Sequence, residues 1–472
     1  MDKKEPNKEI MQIKDENNLK EQKEEKVEEE KVKEIKEIKV KEIKEEKVKE
    51  IKDEKAKVKE IKEEKKEELK EENNDKKSKE EKKEDDKDNK APNDIEETDK
   101  IKTKKYNESY KESDNIISLK ENNYQNPFEH KFNLSIAPML EITTKHYMHF
   151  MRLLTKEALL YSEMINVSEI INKENSLDFS PDLEPLCIQF GGSDPEKCKL
   201  AAEKVKNKGY KEININCGCP SKKVSAGNFG AVLMNDPNLV GKCVKEMNNV
   251  LFSSIKCRLG LDEYKKKFLY DFIDITKKIS NCSKYILHSR IAIMGIDTMK
   301  NRKVPPLQYD VVEEVKNTYP DLNIVINGGI KTFDVVRDFN DKEIGVMIGR
   351  EAYDNPWKFR NADSQVFGKC DPKISRKDLI YEYADYCQKY IDEHPEYVSG
   401  GLVGEMVKPM TNLFTGEKYN KVFTNKLYEI THGSKDQNKK KELIKKYEKI
   451  SEHLYSCVEA FQKENEEALL SI

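Results

Sequence analysis

Between Asn133 and Glu351 the chain reads as eight short β-rich runs, and this repetition limits the fold more than any other feature. The runs are NLSIAPM (133–139), ALLYSEMI (158–165), PLCIQFG (185–191), EININCG (212–218), SSIKCRLG (253–260), KYILHSR (284–290), NIVINGG (323–329) and GVMIGRE (345–351). Helical patterns separate most of them, as at 194–208, 238–250, 265–280, 309–318 and 332–340. Strands that alternate with helices build a parallel sheet, because each crossover helix returns the chain to the same end. Eight alternations over about 240 residues predict a (β/α)8 TIM barrel, an α/β fold. A doubly wound sheet usually has fewer strands and carries a glycine-rich phosphate turn after the first. Here that turn is APMLEIT, which lacks the fingerprint.

Charge divides the chain. Residues 1–100 hold 31 Lys and 37 Asp+Glu, with no Trp, Tyr, Phe or Cys. The whole chain has 87 Lys+Arg and 90 Asp+Glu, so residues 101–472 carry 56 against 53 and are mildly basic. That suits a polyanionic partner without requiring one. Within the tail, VKEIKEEK starts at Val40 and Val58 and VKEIKDEK at Val48. The starts are 8 and 10 residues apart, so no heptad is sustained. Glu37–Lys41 and Glu45–Lys49 are spaced to support a solvated helix. Too little apolar surface exists to offset chain entropy, which predicts a disordered or single-helix tail. Residues 1–125 are taken as tail and linker and 126–368 as the barrel. Residues 369–472 are taken as a small all-α helical domain, with amphipathic stretches at 375–395 and 440–466. Leu379, Tyr383 and Tyr386 fall on one face of the first.

The 10 cysteines show no paired framework and no C-x-x-C, so reduced thiols and no metal site are expected. No apolar run approaches the roughly 20 residues of a membrane span. The N-terminus MDKKEPNKEI lacks a signal-peptide core. The expectation is an intracellular, cytoplasmic protein with no membrane partner, an organelle being left open.

Barrel chemistry collects at the C-terminal ends of the strands. Strand one ends in Pro138-Met139, strand three in Gln189, and strand four in Asn216 before the turn Gly218-Cys219-Pro220-Ser221. Strand five carries Lys256 and Arg258, and strand six ends in His288 and Arg290. Strands seven and eight end in Asn327-Gly328-Gly329 and Gly349-Arg350. The last two loops commonly form the barrel's phosphate site, where glycines admit close backbone approach and an arginine neutralises charge. The plainer alternative is that the glycines only make tight turns. Lys256 and His288 would face the mouth, where a cation can stabilise a reduced flavin; ordinary polar strand ends are the alternative. Cys219 sits in an accessible turn, and a thiol with an ordinary pKa of about 8.5 can donate a proton near neutral pH. Its alternative is a passive small hydrophobe. Cys217 reads as barrel wall.

ININCGCPSKKVSAGNFGAVLM (213–234) resembles the signature of the tRNA-dihydrouridine synthases. SIAPMLEIT, LLYSEMI, CIQFGGSDP, IKCRLG, ILHSR, INGGI and VMIGREAYDNP follow in that family's order. NRKVPPLQY (301–309) looks most like the bacterial A-type subgroup, which acts near positions 20 and 20a. The resemblance covers roughly residues 130–470. It implies FMN as cofactor, NADPH as reductant, tRNA as partner and a monomer without metal. On that pattern Pro138, Met139, Leu140, Gln189, Lys256, His288, Asn327, Gly328, Gly329, Gly349 and Arg350 would bind FMN. Asn216, Arg258 and Arg290 would hold the uracil. Flavin N5 would give a hydride to C6 and Cys219 a proton to C5. The helices after Gly368 would dock RNA. Two stretches depart from the pattern. In the related bacterial enzymes a Lys usually follows a His-Ala-Arg triplet, but here the run is His288-Ser289-Arg290-Ile291. Lys421–Lys426 replaces a basic, Trp-containing stretch. Both changes reduce expected phosphate contacts. Two other readings remain: another FMN barrel reductase acting on a small pyrimidine or enone, and a catalytically silent tRNA-binding protein.

Overall fold

The structure, a computed structural model, describes residues 133–173, 177, 180–418, 420–431, 449–463 and 469. The charged tail and the Lys-rich stretch 435–446 lie outside the described residues. The described residues belong to one compact unit spanning Ser118–Ile472.

The eight expected strands are present: β1 Leu134–Ile136, β2 Leu159–Asn166, β3 Leu186–Gly191, β4 Glu212–Cys217, β5 Phe252–Arg258, β6 Lys284–His288, β7 Asn323–Asn327 and β8 Gly345–Ile348. They pair in parallel in sequence order, and β1 closes on β8 through Leu134–Val346, Ser135–Met347 and Ile136–Ile348. Helices cross between them: α1 Lys145–Leu154, α2 Pro195–Lys208, α3 Pro237–Asn248, α4 Lys266–Ser280, α5 Tyr309–Thr318 and α6 Phe333–Asn340.

Local chemistry sets the helix ends. At α2, Asp194 accepts from the Glu196 and Lys197 N–H groups, Pro195 occupies the first turn, and Gly209 closes the helix at φ 108°. Asp236 caps α3 by accepting from Leu239 N–H. The apolar stripes of α2 and α3, among them Ala201, Val205, Val240 and Val244, are fully buried against the outer faces of the strands. Each fully buried Val or Leu contributes on the order of 1.5–3 kcal/mol.

Alternation decides what fills the lumen. In β4, Ile213, Ile215 and Cys217 join the core outside the barrel. Glu212 and Asn214 share the other face and are buried inside it. Tyr161, Cys187, Ile286, Val325 and Met347 form a separate small apolar cluster.

Six strands end earlier than their β-rich runs, β4 and β5 at Cys217 and Arg258. β1 stops at Ile136, and the chain folds back so that Met139 C=O accepts from Ile142 and Thr143 N–H at 3.0 and 2.9 Å. β6 stops at His288. β7 stops at Asn327 because Gly328 and Gly329 take φ of 121° and 73°. β8 stops at Ile348, and Arg350 opens the short helix α7, Arg350–Asp354. After Gly368 come α8 Arg376–Glu393, α9 Gly400–Val407, α10 Asn420–Thr431 and α11 Ile450–Gln462. Leu379 and Tyr383 of α8 are buried, while Tyr386 is half-buried and stacked on His149 at 3.7 Å. Within the second amphipathic stretch, α11 occupies Ile450–Gln462; 440–448 and 464–466 lie outside the described residues. Helix α9 carries no clear pattern, since Gly400, Gly401 and Gly404 dilute the apolar stripe, whereas α10 buries Phe423, Leu427 and Ile430 at helical spacing.

Candidate active site

The turn after β4 is held by one side chain. Asn216 Oδ1 accepts from the Gly218 and Cys219 N–H groups, both at 3.0 Å. The Cys219 carbonyl accepts from Ala231 N–H at 2.9 Å. Gly230 lies alongside at φ 79°, and a Cβ there would meet Cys219 O at 2.6 Å. The thiol of Cys219 is left half-buried, whereas Cys217 is fully buried and burial pushes its pKa well up. The expected split between an accessible and a structural cysteine holds.

Arg258 braces the same turn from β5. Its Nε donates to Gly218 O at 3.1 Å, and its Nη1 donates to Ile291 O at 2.9 Å and Asn301 O at 3.4 Å. It is buried, with its pKa drawn to about 10 by burial. It therefore acts on backbone carbonyls beside the mouth.

Lys256 Nζ donates to Asn327 Oδ1 at 3.0 Å, and Asn327 Nδ2 donates to Met347 O at 2.8 Å. Burial, then the nearby Arg258, pull Lys256 down to about 8. His288 is held well below the ordinary histidine value by burial, then by Arg258, Lys256, Arg290 and Arg350. The ring is therefore neutral at neutral pH, and its buried Nδ1 has no partner among the described residues. Four cations converge on it, and no carboxylate is among its strongest influences. A mouth of this charge suits an anionic group.

The glycines of the β7 loop are needed for shape. A Cβ at Gly329 would meet Leu307 Cδ1 at 2.6 Å, and one at Gly328 would lie 3.4 Å from His288 Nε2. Tyr309 OH donates to Gly328 O at 2.6 Å and fixes the turn. A Cβ at Gly349 would lie 3.4 Å from Ala137 Cβ and 3.7 Å from Met139 Sδ, so the β8 and β1 loops meet closely here. Arg350 is exposed, with Nη2 donating to Arg302 O at 3.5 Å. Arg290 is largely buried and donates Nη1 to Pro305 O.

Asn216, Lys256, Arg258, His288 and Asn327 are thus linked by bonds or by charge, and Gln189 joins them by accepting from Asn216 Nδ2 at 3.0 Å. Pro138 is half-buried on the β1 turn and Met139 Sδ lies 3.7 Å from a Cβ placed on Gly349, while Leu140 is 58% exposed and is not drawn into the group. Arg302 was missed. It is exposed, and its charge lowers the pKa of both Lys256 and Arg258. It closes the short 3-10 turn Lys300–Arg302 within the NRKVPPLQY stretch, away from any strand end, so strand-end position does not mark it. A cavity of about 370 Å³ occurs elsewhere, between α9, α10 and Tyr353; none of the mouth residues lines it.

The closed barrel and this mouth, with a thiol on a braced turn beside converging cations, define a (β/α)8 barrel enzyme. A family model described as dihydrouridine synthase (Dus) matches residues 135–452. The chain belongs to that family. The tRNA-dihydrouridine(20/20a) synthase of Vibrio vulnificus is 37% identical over 290 residues, covering 60% of this chain and 87% of that protein. The enzyme of the same name from Shewanella oneidensis is 39% identical over 287 residues, covering 60% and 84%. The one from Escherichia coli is 37% identical over 290 residues, covering 60% and 86%.

Proposed function

We propose that the chain is a tRNA-dihydrouridine synthase that reduces the C5–C6 double bond of a D-loop uridine, using bound FMN and NADPH. The observation that carries this reading is the half-buried Cys219, whose backbone N–H is tied to Asn216 beside the cationic mouth. The curated relatives are named for the same reaction.

The mouth suits the cofactor. An orphaned, buried His288 Nδ1 offers a hydrogen-bonding atom to a ligand. Gly328 and Gly329 expose backbone where side chains would intrude. Lys256, Arg290 and Arg350 supply positive charge. When bound, FMN supplies the hydride. In this reading Gly328, Gly329, Gly349 and Arg350 hold its phosphate, and Lys256 and His288 face the ring edge where negative charge gathers. Pro138, Met139, Gln189 and Asn327 would border it, with the exposed Leu140 outside the contact. Asn216 Nδ2 uses one hydrogen on Gln189 and keeps the other for a uracil carbonyl, with Arg290 nearby. Cys219 transfers its proton to C5 of the base, and water restores it to the thiolate. Arg258 serves the step by holding Gly218.

The target base must leave its stack to reach such a mouth. The barrel of residues 126–368 would do the chemistry, and the helical domain 369–472 would dock the tRNA. A monomer acting at position 20 or 20a in the cytoplasm completes the reading. The test is dihydrouridine content, by mass spectrometry, in unmodified tRNA incubated with the purified protein and NADPH. New dihydrouridine at position 20 or 20a is expected. Its absence while flavin is bound and reducible by NADPH would remove the tRNA substrate from the reading.

A further inference from the structure

Beneath Asn216 and Gln189 the barrel lumen continues a chain of hydrogen bonds that the reaction above does not use. Asn216 Nδ2 donates to Gln189 Oε1 at 3.0 Å, and Gln189 Nε2 donates to Asn214 Oδ1 at 2.7 Å. Asn214 Nδ2 donates to Ser254 Oγ at 3.0 Å, and Ser254 donates to Glu212 Oε1 at 2.9 Å, with the Ile213 carbonyl a more distant acceptor at 3.4 Å. Lys284 Nζ meets both carboxylate oxygens of Glu212 at 2.9 Å, and Tyr161 OH donates to Oε1 at 3.3 Å. Glu212, Asn214 and Ser254 are 0% exposed, Gln189 and Tyr161 1%, and Lys284 4%, so solvent cannot exchange into these bonds.

The two ends of this chain allow one polarity. An ionised carboxylate only accepts, and a backbone N–H only donates. Between Glu212 and the Gly218 and Cys219 N–H groups stand one hydroxyl and three amides, each of which could point either way alone. With Glu212 accepting from Ser254, the Ser254 oxygen must accept from Asn214. Gln189 and Asn216 then follow in the same sense, and Asn216 Oδ1 is left to take the two N–H groups of the turn. A reversed Asn216 would set its NH2 against both, leaving buried donors unsatisfied.

We propose that Glu212, paired with Lys284 at the far end of the lumen, is a positioning residue that sets the direction of this relay and so fixes the turn carrying Cys219. The inference uses Cys219 only as a mapped thiol. It stands or falls separately from the uridine reaction.

Ser254→Ala tests it by cutting the relay while leaving the Glu212–Lys284 pair intact. The measurement is the alkylation rate of Cys219 by iodoacetamide, resolved by peptide mapping of the full chain, with the exposed Cys370 as internal reference. Ser254→Ala should raise the Cys219 rate about threefold to tenfold, the scale of one buried hydrogen bond lost. Cys370 should not change, Asn216→Ala should act in the same direction, and Ser254→Thr should return close to the parent rate. A parent-like Cys219 rate in Ser254→Ala would overturn the relay, whatever Asn216→Ala does. A rise shared by Cys370 and the buried cysteines would overturn it too, since that reports general loosening. Should the parent protein make no dihydrouridine, these rates still decide the relay.

Discussion

Arg258 Nε donates to the carbonyl of Gly218 at 3.1 Å, so the end of β5 holds the turn that follows β4. The same guanidinium also reaches Ile291 O and Asn301 O, and three separate carbonyls need a forked donor. Arg258→Lys keeps the charge and loses the fork. Uridine reduction should fall about tenfold or more while flavin stays bound, as expected when a small misplacement reaches the reacting group. Flavin absorbance of the purified variant and the rate of dihydrouridine formation check both halves.

Cys219→Ala removes the proposed proton donor without touching the backbone bonds that Asn216 makes to the turn. Flavin content should match the parent, and uridine reduction should drop about a hundredfold or more, within the usual range for a general acid. An unchanged turnover would leave Cys219 out of the chemistry.

The strand count, the strand order and the cysteine turn could be read directly from the sequence. Short β-rich runs between helical patterns leave few topologies, and strand ends mark the mouth. The three carbonyls that Arg258 meets are not legible in the sequence, which shows only a cation at a strand end. The lumen relay was half-visible. Glu212, Asn214 and Asn216 recur every second residue opposite Ile213, Ile215 and Cys217, which places three polar groups on one face of β4. Their partners come from β3, β5 and β6, and barrel closure brings them together across 25 to 72 residues of sequence. Periodicity within one strand carries no record of that meeting.

Lys256 gives the mouth a pH dependence. Its value of about 8 lies below the ordinary 10.5, so between those values the unfolded chain binds more protons than the folded one. Stability gains from this group as pH rises through that window. Binding an anion works the other way, because it favours the charged lysine. FMN affinity should be level below about pH 8 and should weaken above it, by up to about tenfold per pH unit. Flavin fluorescence titrations at pH 7 and pH 9 measure this, and Lys256→Met should bind more weakly at pH 7 and flatten the profile.

Gly329→Ala places a Cβ on a residue at φ 73° and 2.6 Å from Leu307 Cδ1. The backbone term alone should cost about 1–2 kcal/mol. The displaced loop should also weaken FMN binding. Thermal unfolding with and without FMN separates the two effects, since a purely local strain would lower both melting temperatures equally.

Glu212 and Lys284 give the last prediction, because stability and positioning should part there. Their side chains are 0% and 6% exposed. Removing one partner strands a buried charge, so Glu212→Gln and Lys284→Met should each cost about 3–5 kcal/mol in denaturant unfolding. The double variant carries no buried charge and should recover much of that loss, as replaced ion pairs often do. It cannot recover the relay, because the amide introduced by Glu212→Gln can donate as well as accept and no longer dictates the direction of Ser254. Its Cys219 should therefore be alkylated faster than the parent's even where its stability is restored. Recovery of both properties together would mean that the pair supports the barrel floor alone.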